Sequence, residues 1–231
     1  MGSPGRYKDL RAEIARNLGV YLVTDRRLAP GAGLLRPVEE ALKSGVRAVQ
    51  LREKDLDGRS LVTLARDMRS LSADYGARLF INDRVDVAMS VGADGVHLGQ
   101  KSMPARDARG AAGEGLLIGV SAHGLKEALL AREDGADFIT LGPVFHTPAK
   151  AGYAEPVGPA KLHTVCASVD IPVYAIGGIK DIHVGRMMEA GAAGVAVISA
   201  IIASDDARGS AAEFMRQLKA YKGRRSYHDP A

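Results

Sequence analysis

The stretch Gly45-Val46-Arg47-Ala48-Val49-Gln50-Leu51-Arg52-Glu53-Lys54 holds the architecture in miniature. A glycine suited to the left-handed conformation closes a helix. A short apolar run follows, and polar and charged residues gather at its end. The same opening recurs at Gly19-Val20, Gly76-Ala77, Gly92-Ala93, Gly135-Ala136 and Gly191-Ala192. Helix, glycine, strand, repeated, is the signature of βα units around a parallel sheet.

Eight strands are expected near residues 20–24, 47–52, 78–82, 94–98, 116–121, 137–141, 172–176 and 193–198. Eight such units favour a closed (β/α)8 TIM barrel, an α/β fold, over an open doubly wound sheet. The 231 residues suit one barrel domain, with a core of about 18–222, short flexible termini and an extra N-terminal helix near residues 7–17. Between the strands, Leu61, Leu64, Ala65, Met68 and Leu71 keep the spacing of a helix with one buried stripe, as do Ala211, Phe214, Met215, Leu218 and Tyr221.

Composition narrows the function. A hydrophobic fraction of 46% and a charged fraction of 25% are ordinary for a globular protein. The net charge of +4 is spread along the chain, and Arg224-Arg225 reads as part of a solvated tail, so no nucleic-acid partner is expected. A single cysteine, Cys166, excludes an intrachain disulfide and a Cys-rich zinc site, and its place in a predicted helix makes it a small buried hydrophobe. No run approaches the ~20 apolar residues of a membrane span, and the N-terminus lacks the apolar segment of a signal peptide. A cytoplasmic location is expected, and the oligomeric state, a homodimer being one option, is left open.

If the apolar runs are parallel strands, their C-terminal ends share one rim. Gln50 and Arg52 lie two apart on one strand and point the same way. Arg52 can grip a phosphate bidentately while Lys54 adds a point charge; the plainer alternative is a salt bridge to Glu53 or Asp55. Asn82-Asp83 ends the third strand, where Asp83 either anchors Mg²⁺ or caps the following helix. Gly177-Gly178 and Ile198-Ser199 end the last two strands, where backbone N–H groups face a phosphate in this fold. Thr147 and Lys150 belong to the long loop from Phe145 to Gly158, which can close over a second phosphate. His97 reads as a satisfied buried polar residue, His123 after Ser121 as an acid-base candidate, and His146 as a solvated loop residue.

Together these positions resemble the thiamine phosphate synthase family and its thiazole tautomerase branch. The resemblance runs from about Val20 to Ala203. It is carried by Tyr21-Leu22-Val23-Thr24-Asp25, Val49-Gln50-Leu51-Arg52-Glu53-Lys54, Ile81-Asn82-Asp83-Arg84, Gly95-Val96-His97-Leu98-Gly99-Gln100 and Ile118-Gly119-Val120-Ser121-Ala122-His123. Leu141-Gly142-Pro143-Val144-Phe145, Ala175-Ile176-Gly177-Gly178-Ile179 and Ala196-Val197-Ile198-Ser199-Ala200-Ile201 complete it.

The resemblance implies a Mg²⁺-dependent transferase with small phosphorylated substrates. It would join a hydroxymethylpyrimidine diphosphate to a hydroxyethylthiazole phosphate, or its carboxylated form, and release pyrophosphate by a dissociative route. It assigns Gln50, Arg52, Lys54, Asn82, Ser121 and Lys150 to the pyrimidine diphosphate, with Arg52, Lys54, Ser121 and Lys150 in the catalytic set. Asp83 would hold Mg²⁺, and Thr147, Gly178, Ile198 and Ser199 the thiazole phosphate. Two positions depart from the family pattern: Ser102 stands where a second metal-binding aspartate is usual, and Thr147-Pro148-Ala149-Lys150 replaces Thr-x-Thr-Lys. Similar changes occur in tautomerase-like members. The alternatives are therefore a thiazole tautomerase with His123 as proton shuttle, or a non-catalytic ligand-binding member.

Overall fold

The protein is described by a computed structural model covering residues 11–13, 15–31, 33–147 and 155–226. Eight strands, β1 (Val20–Val23), β2 (Ala48–Leu51), β3 (Arg78–Asn82), β4 (Gly95–Leu98), β5 (Leu117–Ala122), β6 (Phe138–Leu141), β7 (Val173–Ile176) and β8 (Gly194–Val197), pair in chain order. The β8 strand closes on β1 in parallel, with Tyr21 opposite Ala196. The expected TIM barrel is the observed one, and each expected strand lies within one residue of its bounds at either end.

The first helix, α1, is helical at residues 11–13 and 15–16; Asn17, the end of the expected N-terminal helix, is a turn, and residues 7–10 and 14 lie outside the described residues. Between successive strands run α2 (Leu35–Lys43), α3 (Gly58–Asp74), α4 (Val85–Ser90), α5 (Ala105–Ala112), α6 (Leu125–Glu133), α7 (Gly158–Ser168) and α8 (Val184–Glu189). After β8 come the short α9 (Ser199–Ile202) and α10 (Ala207–Ser226). The α10 helix packs on α2 and α8. It extends through Ser226, so Arg224 and Arg225 continue a helix rather than forming the expected tail. Helical backbone hydrogen bonding outlasts the last apolar position of the stripe, Tyr221, by more than a turn. Cys166 lies in α7, partly buried, where burial pushes its thiol up to about 11.

All six glycines of the recurring unit take positive φ, between 60° and 101°. Strand alternation then sorts side chains. Val20, Leu22, Val49, Leu51, Leu79, Ile81, Val96 and Ile118 face the helices and form the outer core. Tyr21, Phe80, Phe138 and Tyr174 face inward and meet edge to face, Tyr21 and Phe80 with centroids 5.2 Å apart and planes at 80°. Such contacts add ~0.5–1.5 kcal/mol each beyond area burial. Glycines make room for them. A Cβ at Gly95 would lie 2.6 Å from the Phe80 ring, and one at Gly119 would lie 2.4 Å from Phe138. The α1 segment plugs the N-terminal end, where the Tyr174 hydroxyl donates to the Ala15 carbonyl and accepts from the Leu18 N–H.

The N-terminal rim carries a repeated tie. Asp94, just before β4, accepts from the Leu79 N–H of β3 at 2.8 Å and pairs with Arg69 and Arg78. Asp137, just before β6, accepts from the Ile118 N–H of β5 at 2.7 Å and pairs with Arg11 and Arg109. Burial raises the Asp94 carboxyl, but hydrogen bonds from Arg78, the Leu79 N–H and Arg69 outweigh it and leave the group below its ordinary value.

Candidate active site

The opposite rim gathers most of the expected residues. Gln50 is 3% exposed and donates through Nε2 to the Tyr21 hydroxyl at 3.1 Å. That hydroxyl lies 3.4 Å from His97 Nδ1, and His97 Nε2 lies 3.0 Å from Ser121 Oγ and 3.3 Å from Thr140 Oγ1. Five polar side chains thus form a chain across the barrel just beneath its mouth. Each sits at the inward-facing position of an otherwise apolar strand. His97 is satisfied as expected, and burial brings it down to about 3, with Asp83 pulling it up and Arg52 pushing it down. Asp83, just after β3, also touches His97 directly, its N–H donating to the His97 carbonyl at 3.0 Å.

Arg52 is held by its backbone. Its N–H donates to Thr24 Oγ1 at 2.9 Å, and that hydroxyl donates to Glu53 Oε1 at 2.6 Å. Glu53, only 5% exposed, also accepts from the Arg26 N–H at 3.1 Å. The salt-bridge alternative for Arg52 fails: Glu53 and Asp55 both pair with Arg26 instead. Among the described residues no hydrogen bond or ion pair engages the Arg52 guanidinium. Lys54 is exposed in the loop beyond. Thr24 and Glu53 position the Arg52 backbone, a role distinct from the salt bridge to Arg52 expected of Glu53. Their only sequence signal is polarity directly after buried strands.

Asp83 adopts φ 62°, unusual for a residue other than glycine. It does not cap a helix, because α4 starts at Val85 with Arg84 at its N-cap. Its carboxylate instead accepts from Asn82 Nδ2 at 2.7 Å, the Gly99 N–H at 3.3 Å and the Ser102 hydroxyl. Ser102 Oγ in turn accepts from the Gly99 N–H at 2.7 Å. Among the described residues no three His, Cys, Asp or Glu side chains cluster as metal ligands. The donors present are one carboxylate, an amide and a hydroxyl. This hard oxygen set fits Mg²⁺ held by one carboxylate together with a ligand's phosphates.

The other half of the rim is built from backbone. Gly177 and Gly178 have φ 94° and 66° and lie against the base of the long loop. A Cβ at Gly178 would lie 2.6 Å from the His146 carbonyl oxygen, and one at Gly177 2.6 Å from Pro143 Cα. The loop's two ends are pinned together by Val157 N–H to Pro143 O, 2.8 Å, and Gly158 N–H to Val144 O, 3.1 Å. Phe145 stacks on His183, centroids 4.2 Å apart, tying the loop base to the segment after Gly178. Thr147 lies half-buried at the described edge of this loop, and Lys150 lies outside the described residues. Ile198 is the N-cap of α9 and Ser199 its exposed first residue, directly after β8, which pairs with the β7 strand that leads to Gly177-Gly178. His123 Nδ1 is 3.1 Å from Glu127 Oε2, which also accepts the His123 N–H, and His146 is exposed.

A parallel barrel with an arginine that has no ion-pair partner among the described residues, a hard-oxygen carboxylate site and a glycine-lined strand pair on one rim is a phosphate-ligand TIM-barrel enzyme. The comparisons narrow the class. The profile of the thiamine monophosphate synthase family matches residues 20–201. A putative thiamine-phosphate synthase of Geobacter sulfurreducens is 57% identical over 192 residues, covering 83% of this chain and 90% of that protein. A thiamine-phosphate synthase of Methanospirillum hungatei is 42% identical over 196 residues, covering 85% and 95%. The solved thiamine phosphate pyrophosphorylase of Pyrococcus furiosus superposes with a TM-score of 0.82 at 38% identity, covering 92% of this chain and 98% of that one. The chain belongs to the thiamine monophosphate synthase family.

Proposed function

We infer that this enzyme is a thiamine-phosphate synthase, a transferase that joins a pyrimidine methyl diphosphate to a thiazole phosphate. In the reaction the bond between the pyrimidine methylene carbon and the diphosphate oxygen breaks, and its electron pair leaves with pyrophosphate. The thiazole nitrogen then donates a pair to the methylene carbon, forming the C–N bond of thiamine phosphate. The protein's task is to receive a multiply charged anion, which calls for preorganised donors more than for a base.

The observation that carries this reading is the Arg52 guanidinium, held by its backbone at the mouth without a carboxylate partner among the described residues. Lys54, Ser121 and Lys150 join it in the catalytic set, and Gln50 and Asn82 also bind the pyrimidine diphosphate. Gly178, Ile198, Ser199 and Thr147 take the thiazole phosphate. Asp83 would hold Mg²⁺, which when bound neutralises charge on the departing diphosphate. With Ser102 beside it in place of a carboxylate, most of the remaining ligands would come from the substrate and water. The tautomerase alternative is not favoured: the relatives above carry synthase names, and His123 is engaged by Glu127. Cytoplasmic residence and homodimeric assembly belong to the same reading; fractionation and sedimentation test them.

The deciding assay mixes purified protein with both substrates, with and without Mg²⁺. Thiamine phosphate and pyrophosphate should accumulate in equal amounts with the metal and fall to background when it is chelated. A protein that binds both substrates and forms no product with Mg²⁺ present would overturn the assignment.

A further inference from the structure

The polar chain beneath the mouth has a direction. Gln50 Nε2 donates to the Tyr21 oxygen, and Tyr21 is fully buried. Its own proton then needs an acceptor, because a buried donor without one forfeits its hydration. Among the described residues the only other polar side chain within reach is His97 Nδ1, at 3.4 Å. If Nδ1 accepts, a neutral imidazole carries its proton on Nε2. That nitrogen faces Ser121 Oγ at 3.0 Å and, more distantly, Thr140 Oγ1 at 3.3 Å. Ser121 thus accepts from below, and its own hydrogen is left to point toward the mouth.

We propose that His97 is a positioning residue that turns Ser121 into a hydrogen-bond donor toward the diphosphate, through a chain running Gln50 to Tyr21 to His97 to Ser121. This rests on the synthase reading above and adds residues to it. The geometry supports it at both ends. Gly119 lacks a Cβ where one would stand 2.6 Å from His97 Nδ1, which leaves the ring room against β5. Gln100 Nε2 donates to the Ser121 carbonyl, fixing the backbone that carries the hydroxyl. An anion ahead of Ser121, beside Arg52, selects the donor-outward arrangement over its reverse. In the reverse arrangement Gln50 would present its carbonyl to Tyr21, His97 would be protonated on Nδ1, and the Ser121 proton would point down into the ring.

Two measurements test this. Long-range ¹H–¹⁵N spectra of histidine-labelled protein, with His97 identified by its absence from His97→Asn, report the tautomer without reference to turnover. Nε2–H is expected, both alone and with pyrophosphate bound; Nδ1–H with pyrophosphate bound would overturn the proposal. Kinetics then test the coupling. His97→Asn and Ser121→Ala should each lower kcat roughly 100- to 1000-fold, the scale of losing one anion-facing donor, with KM for the thiazole phosphate unchanged. His97→Gln, whose amide nitrogen reaches nearer the Nε2 position, should recover part of the loss. The double variant His97→Asn/Ser121→Ala should be no slower than Ser121→Ala alone. Multiplying losses would show that His97 acts other than through Ser121. Should His97→Asn fail to fold, Tyr21→Phe in the same cycle, which removes one oxygen, decides the question by the same criterion. A wild-type protein that makes no thiamine phosphate would instead sink the synthase reading, while the tautomer result would still judge the chain's direction.

Discussion

The two halves of the barrel mouth, each proposed above to receive a phosphate group, are built by different means. From β2 to β5 the rim is made of side chains: Arg52 with its Thr24 and Glu53 supports, Asp83 with Asn82 and Ser102, and Ser121 on the His97 chain. From β6 to β8 it is made of backbone: two positive-φ glycines, the N-cap of a short helix and the pinned base of a loop. Side chains can meet charge that develops during a reaction, because they bring full charges and adjustable hydroxyls. Backbone amides offer fixed partial charges, suited to a phosphate whose charge does not change. That contrast matches the proposed assignment, in which the first half receives the departing diphosphate and the second the thiazole phosphate.

The comparison breaks most sharply at Arg52. Arg52→Ala should slow pyrophosphate release by about a thousandfold or more, equivalent to ~4 kcal/mol of transition-state stabilisation. Thiazole-phosphate binding, measured calorimetrically, should change little. If it falls in step with turnover, the two halves are not separate. Gly178→Ala attacks the other half. The new methyl would meet the His146 carbonyl and the Phe145 side chain at a φ of 66°, and left-handed backbone costs an alanine ~1–2 kcal/mol before any clash. KM for the thiazole phosphate should rise about tenfold or more, with KM for the pyrimidine diphosphate nearly unchanged.

The smallest kinetic effect is expected at the far rim. Asp94→Asn removes the carboxylate that ties β3 to β4, costing ~1–3 kcal/mol of stability in thermal unfolding at neutral pH and leaving kcat and KM intact. Because the folded Asp94 carboxyl lies below its ordinary value of 3.8, its stabilisation is complete above that value and is lost as the pH falls through the lower, folded one. The gap between wild type and variant should therefore close in strong acid. A gap that is constant with pH would mean that the charge contributes nothing.

Much of this was legible in the chain. The glycine before six of the eight apolar runs foretold both the left-handed turns and the parallel strands, because only glycine takes positive φ cheaply. Strand ends could be placed within a residue, since apolar runs buried on both faces stop where side chains become polar. Arg52, Asp83 and Gly178 could be named because strand order puts those ends on one rim. The Thr24–Glu53 clamp and the Tyr21–His97 contact were out of reach. They join residues 29 and 76 positions apart, and periodicity along one strand does not report which neighbour stands across the barrel. Whether Asp83 capped a helix or faced the mouth was equally undecidable, since both readings use the same carboxylate at the same position.

The sequence by itself determined the repeat, the closed sheet it builds and the rim on which chemistry falls, because backbone conformation and alternation are local properties. Only the tertiary structure decided which polar groups satisfy one another: that Glu53 serves Arg26 rather than Arg52, and that Ser102 bonds Asp83. Those choices are made by distances of a few ångströms between strands far apart in the chain.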